Sequence, residues 1–222
     1  LFFKIGCGIN YFHIEKPICN TTDELNELKK FIKLGLVFTY GTIRRYMKPY
    51  IDAKKMIEKG KFGKLNHIDI NFGHGQLLWT HPHSVDLLLF FTNDKMPLSV
   101  QAKLSKINYK KKEYSISIEN DPYIESATFF FEQEVTGNIN NHGNCDVILF
   151  CEQGTISINA DGANIVTRKK IINHPYKYRS KKLVEYNQNI LQGSYTPIKI
   201  LSDKIKKNNF FYNSNLIILG QE

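Results

Sequence analysis

The chain has 222 residues, 42% of them hydrophobic, and a formal charge of +9. That hydrophobic share is ordinary for a globular protein and can supply a core in one large domain or two small ones. No run of about 18 apolar residues offers a membrane span, and the apolar Leu1-Phe2-Phe3 has neither the basic flank nor the cleavage site of a secretory signal.

The chain lacks an initial methionine and opens on strand-like sequence, which suggests that its N-terminal part lies upstream. Residues 1–14 read as a strand that stops at Glu15-Lys16-Pro17. A lysine that ends a strand beside a rigid proline presents its ammonium at a sheet edge, where α/β enzymes bind ligands. Thr21-Thr22-Asp23-Glu24 is a capping box, with Thr21 as N-cap. Leu25, Leu28, Phe31, Ile32 and Leu34 follow at helical spacing, and Gly35 is the expected stop. Leu36 to Tyr40 is a short apolar strand of the kind buried in parallel sheets. Strand, helix and strand together make a βαβ unit.

Thr42 to Tyr46 is expected to be a loop. A helix should run from Pro49 to Lys59, ended by Gly60. Leu65 to Phe72 alternates polar and apolar residues, as a half-buried strand does. Gly73 to Pro82 is irregular, and His83 to Phe91 reads as a buried helix. Beyond it, alternating segments at 98–107, 125–133, 145–151, 154–158 and 164–168 predict an antiparallel sheet. Tyr109 to Tyr123 looks like an exposed charged insertion. Helices are expected across 183–191 and 198–207. The fold class is therefore α/β followed by α+β: the C-terminal part of a Rossmann-type βαβ domain, then a domain with an open, mostly antiparallel sheet and helices on one face.

Cys7, Cys19, Cys145 and Cys151 form no C-x-x-C pair and read as reduced thiols of a cytoplasmic protein. Basic clusters at Lys110-Lys111-Lys112, Arg168-Lys169-Lys170, Arg179 to Lys182 and Lys204 to Lys207 are scattered and match no nucleic-acid module. Neither nucleic acid nor membrane is an expected partner. The positive field favours an anionic substrate or cofactor.

The order Glu15-Lys16-Pro17, capped helix, apolar strand, Arg44-Arg45-Tyr46, the G-x-x-G turn at Gly60 and Gly63, and His83-Ser84-Val85-Asp86 resembles the Gfo/Idh/MocA family of NAD(P)-dependent sugar oxidoreductases. The resemblance covers residues 8 to about 170. It implies a dinucleotide-binding domain ending near residue 45 and a substrate domain over 46–222. It also implies NAD or NADP as cofactor and a sugar, cyclitol or sugar-nucleotide hydroxyl as substrate. Lys16 and His83 are the implied catalytic pair. Asp86, Trp79 and His81 are the candidates for the substrate side, and Glu15, Pro17 and Arg44 for the nicotinamide side. A homo-oligomer through the C-terminal sheet is a further expectation.

These residue types suit hydride transfer. Oxidising an alcohol requires loss of the hydroxyl proton, which an imidazole can take, while an ammonium stabilises the developing alkoxide.

Two departures stand out. The glycine-rich dinucleotide fingerprint is absent, because Tyr11 follows Gly6-Cys7-Gly8 where a third glycine belongs; those glycines read as a turn into the strand. Trp79 stands four residues before His83, where many family members have aspartate. Two other readings stay open. One is a non-catalytic remnant or a subunit of a split protein. The other is a metal-dependent hydrolase using His81 and His83; against it, Val85 and Leu87 break the H-x-H-x-D-H pattern.

Overall fold

A computed structural model describes residues 11–34, 36–112, 115–171, 173–178, 182–187 and 190–206. The expected turn at Gly6 to Gly8 and the helix stop at Gly35 fall outside those residues. The described part opens with strand β1 (Tyr11–Ile14), helix α1 (Thr22–Lys33) and strand β2 (Val37–Tyr40). The two strands pair in parallel, Tyr11 opposite Val37 and Ile14 opposite Tyr40. The capping box forms in modified shape. Thr21 accepts from the Glu24 amide at 3.2 Å, but Glu24 reaches back to the Asn20 amide at 2.7 Å rather than to that of Thr21. Leu25, Leu28 and Phe38 make a small core with Phe12 and Ile14.

Ile43–Tyr46 coils into a 3-10 turn where a plain loop was expected, followed by α2 (Lys48–Glu58), β3 (Leu65–Asn71) and α3 (Pro82–Phe91). Next come β4 (Ser99–Leu104), β5 (Tyr109–Lys112), β6 (Ser115–Ile118), β7 (Ile124–Phe130) and β8 (Thr136–Asn140). The chain continues through β9 (Asp146–Cys151), β10 (Gly154–Asn159), β11 (Asn164–Ile171), β12 (His174–Tyr178), β13 (Lys182–Glu185) and α4 (Ile190–Lys206). A nine-stranded sheet runs in the order β12-β11-β10-β9-β3-β8-β7-β4, with β13 added beside β11. Its pairings are antiparallel except at the centre, where β3 lies parallel to β8. The α/β then α+β architecture read from the sequence is the one observed.

Three local expectations are corrected. The insertion after β4 is a small hairpin, β5 with β6. The helix expected from 183 begins as strand β13, whose Leu183 and Val184 pair with Val166 and Ile165. His67, one of the polar residues of the alternating stretch and so expected on its solvent side, is tied to Thr136 at 2.6 Å and to Asp69 at 3.0 Å.

The main core lies between α2, α3 and one face of the large sheet. Alternate strand residues Ile68, Ile70, Ile139, Leu149, Ile156 and Ile158 point into it, as a period of two requires. Tyr50 and Ala53 of α2 and Leu87 and Leu88 of α3 meet them. Gly137 on β8 sits directly beneath Leu88. A Cβ there would lie 2.5 Å from Leu88 Cδ2, so a residue without a side chain lets α3 settle onto the sheet. That seating fixes the start of α3, where His83 lies.

Candidate active site

The site is assembled from four places: the end of β1, the 3-10 turn after β2, the turn into α3, and the loop between β6 and β7. Lys16 follows β1, and the Lys16–Pro17 peptide is cis. The Lys16 ammonium donates to the Trp79 carbonyl at 2.5 Å and stands 3.6 Å from the centroid of the Trp79 ring. It therefore meets a dipole and a π-face together. Glu15 beside it is exposed and lies 3.6 Å from His13. Its carboxylate covers Gly41, where an added Cβ would collide with it.

Trp79 precedes α3 by three residues. Pro82 opens that helix within its first turn, where a missing amide does no harm. His83 is then one step inside. Its Nδ1 is buried without a hydrogen-bond partner. Burial first, then the charges of Arg44 and Lys16, push its pKa down to about 3. The ring is neutral at physiological pH. Burial also lowers the Lys16 pKa and Arg44 adds to this, while Glu15 and Asp121 oppose it. Lys16, Arg44 and His83 thus share one electrostatic environment.

Other expected site residues have different surroundings. His81 is fully buried, with Nδ1 3.0 Å from Ser84 Oγ and Nε2, like His83 Nδ1, without a hydrogen-bond partner. Asp86, expected to hold substrate hydroxyls, receives Arg45 through Nε at 2.8 Å and Nη2 at 2.7 Å, with Thr42 also bonded to it. Its acceptors are engaged, and it anchors α3 to the 3-10 turn. Arg44, expected on the nicotinamide side, makes a two-pronged pair with Asp161 at 2.7 and 3.0 Å, and Tyr50 donates to the same carboxylate at 3.1 Å. It acts on the site through its field. Trp79 is 62% exposed.

Two residues without a sequence signal complete the arrangement. Asp161 lies in the tight turn between β10 and β11, with φ 52°. Asp121 lies before Pro122 in the loop that leads into β7, and accepts from the amides of Leu78 at 2.8 Å and Trp79 at 3.0 Å. An Asp-Pro pair marks a turn but does not say what the carboxylate will hold.

The buried His81 makes the fold acid-sensitive. Burial pushes His81 from 6.5 down to about 4, against the Gly75 backbone and Asp121. The unfolded chain binds the proton more tightly, so stability is whole above about pH 6.5 and is lost as the pH falls toward 4. His81 alone accounts for roughly 3 kcal/mol over that window. Urea unfolding of the wild type should therefore steepen in its pH dependence between 6.5 and 4, and His81→Gln should flatten it. Identical slopes for the two proteins would refute this.

No protein-family model matches the chain, and no curated protein matches it. Solved structures do. They share its fold. A dehydrogenase from Chromobacterium violaceum superposes with a TM-score of 0.72 at 16% identity, covering 95% of this chain and 66% of its own. A protein assigned as an NADPH-dependent oxidoreductase from Desulfitobacterium hafniense gives 0.70 at 15% identity, covering 94% and 66%. The transcriptional regulator Gal80p from Kluyveromyces lactis gives 0.69 at 13% identity, covering 96% and 63%. The chain thus spans slightly less than two thirds of each of these structures. Among the described residues, no three His, Cys, Asp or Glu side chains are grouped to hold a metal ion, and no helix is long and apolar enough to cross a membrane.

Proposed function

We propose that this chain belongs to an NAD(P)-dependent oxidoreductase acting on a hydroxyl of a sugar, cyclitol or sugar nucleotide. In this reading residues 1–45 are the end of the dinucleotide-binding domain and 46–222 the substrate domain. The observation that carries it is a half-buried, neutral His83 whose buried Nδ1 has no hydrogen-bond partner and whose pKa is lowered in part by the Lys16 ammonium. A buried imidazole atom left unbonded is costly in a purely structural setting, and a substrate hydroxyl would satisfy it.

The residues present fit a nicotinamide group on one side of the site. Glu15 and Pro17 would hold it at the end of β1, where ligands of parallel sheets sit. When bound, NAD(P) supplies the hydride acceptor or donor. The chain's own groups supply the rest. His83 takes the hydroxyl proton. Lys16 stabilises the negative charge that grows on that oxygen. This division follows from the low His83 pKa. A weak base alone removes an alcohol proton poorly, so the neighbouring ammonium must carry much of the stabilisation. Trp79 offers its free face to the apolar side of a sugar ring. Asp86 and His81 hold the scaffold, and Arg44 sets the local field.

The test is spectroscopic. The protein is mixed with NAD+ or NADP+ and a panel of sugars, cyclitols and sugar nucleotides, and absorbance of the reduced cofactor is followed. Reduction with at least one polyol, lost in Lys16→Met, is the expected result. Tight cofactor binding with no turnover on any member would favour a regulator of the Gal80p kind, whose structure shares this fold.

A further inference from the structure

We propose that Asp121 is the positioning residue of this site: its carboxylate fixes the turn on which the Lys16 ammonium docks, and thereby sets Lys16 beside His83. The inference rests on the reading above only for the chemical use of Lys16. The contacts themselves need no cofactor.

The geometry is a chain of three links. Asp121 accepts from two successive amides, Leu78 at 2.8 Å through Oδ1 and Trp79 at 3.0 Å through Oδ2. The Trp79 carbonyl, on the peptide unit that follows the held amide, accepts from Lys16 Nζ at 2.5 Å. The indole of the same residue lies under the ammonium, 3.6 Å from Nζ to the ring centroid. Two acceptor oxygens for two adjacent amides is a fit that aspartate meets and asparagine does not, because an amide side chain has one acceptor oxygen.

The loop that presents Asp121 is itself fastened. Pro122 carbonyl accepts from the Leu77 amide at 2.8 Å, and Tyr123 bridges to Gln76. Tyr123 also stacks on His74 with ring centroids 4.2 Å apart. Asn120 accepts from the Asn108 amide at 2.7 Å and donates to the Lys106 carbonyl at 3.0 Å. Asp121 is therefore delivered to the turn by a braced loop, which is what a positioning group requires.

Charge adds to shape. Lys16 is faced by Glu15 from its own strand end, Arg44 from the 3-10 turn, His83 from α3 and Asp121 from the loop before β7. Glu15 and Asp121 favour the ammonium form, whereas burial and Arg44 oppose it. Removing the Asp121 charge thus loosens the turn and moves Lys16 toward its neutral amine.

Trp79 is the single tryptophan of the chain, so emission excited at the indole band reports this site alone. Emission of the full chain is titrated from pH 7 to 10.5 in the wild type, Lys16→Met, Asp121→Asn and Asp121→Ala, with the far-ultraviolet spectrum checking the fold. The wild type should show a transition with its midpoint below the ordinary lysine value of 10.5. Lys16→Met should abolish it. Asp121→Asn should keep a transition with a midpoint shifted to still lower pH. Asp121→Ala should lose it and move the emission maximum toward that of a solvated indole. If Asp121→Ala does not fold, Asp121→Asn decides. Wild-type emission and midpoint in the Asn variant would overturn the proposal, as would a wild-type titration indistinguishable from that of Lys16→Met. The readout needs neither cofactor nor substrate, so absence of dehydrogenase activity with the shifts intact would sink the functional reading and leave the role of Asp121 standing.

Discussion

If the chain acts as proposed, His83→Ala in the full-length protein should lower turnover by about 10²–10⁴-fold, the usual contribution of a positioned proton acceptor. Cofactor affinity should change by no more than a few-fold, because His83 lies in α3 and not at the end of β1. The alanine variant also removes a half-buried ring. His83→Gln therefore serves as the companion variant, keeping bulk and polarity while deleting the base. The pH profile gives a second check. With its pKa near 3, His83 stays neutral through the whole neutral range and contributes no acid limb around 6.5. The limb to expect is on the alkaline side, where Lys16 loses its proton at a pH below the ordinary lysine value. An acid limb at 6.5 that vanishes in His83→Gln would refute the lowered pKa, and equal losses of turnover and cofactor binding would exclude the assignment.

Arg45→Met should destabilise the fold by about 3–5 kcal/mol, the range seen when one partner of a desolvated ion pair is deleted. Arg45 and Asp86 are each only 13% exposed at the side chain, and Arg45 also reaches Asp94 at 3.2 Å. Burial raises the Asp86 pKa, and Arg45 is the main group opposing that rise. Without it, a buried carboxylate is left with Thr42 as its hydrogen-bond donor. The double variant Arg45→Met/Asp86→Leu should recover most of the loss, since an apolar pair of similar volume removes the charge as well as its partner. Urea midpoints of the three proteins measure both effects. A single-variant cost below about 1 kcal/mol would mean that the pair is as weak as a solvated one. The pair matters to the site because it pins the first turn of α3, three residues after His83, to the 3-10 turn that carries Arg44.

Much of this architecture can be read from local chemistry. The βαβ opening rests on a capping box and two apolar strands, signals confined to adjacent residues. Lys16 and His83 lie in short motifs that can be picked out from adjacent residues. What escaped was long-range. Thr136-Gly-Asn-Ile-Asn carries two inward residues, one of them glycine, so β8 shows too little alternation to read as a strand. Leu183 and Val184 fit a helix as well as a strand until Ile165 and Val166 supply an edge to pair with. Arg44 and Asp86 looked like ligand-binding groups because their partners, Asp161 and Arg45, are assigned only by the fold. Asp121 had no signal beyond an Asp-Pro turn, since its task is to hold the backbone of a segment 42 residues away.

The parallel seam at the middle of the large sheet has a consequence for synthesis on the ribosome. β3 finds both of its neighbours, β8 and β9, roughly seventy to eighty residues later in the chain, so its hydrogen-bonding edges wait unpaired while those residues are made. Hairpins such as β9 with β10 can close as they emerge, but the central layer cannot form until β9 has cleared the exit tunnel. Nascent chains stalled before residue 146 should therefore be open to proteases and holding chaperones, with protection arriving in one late step.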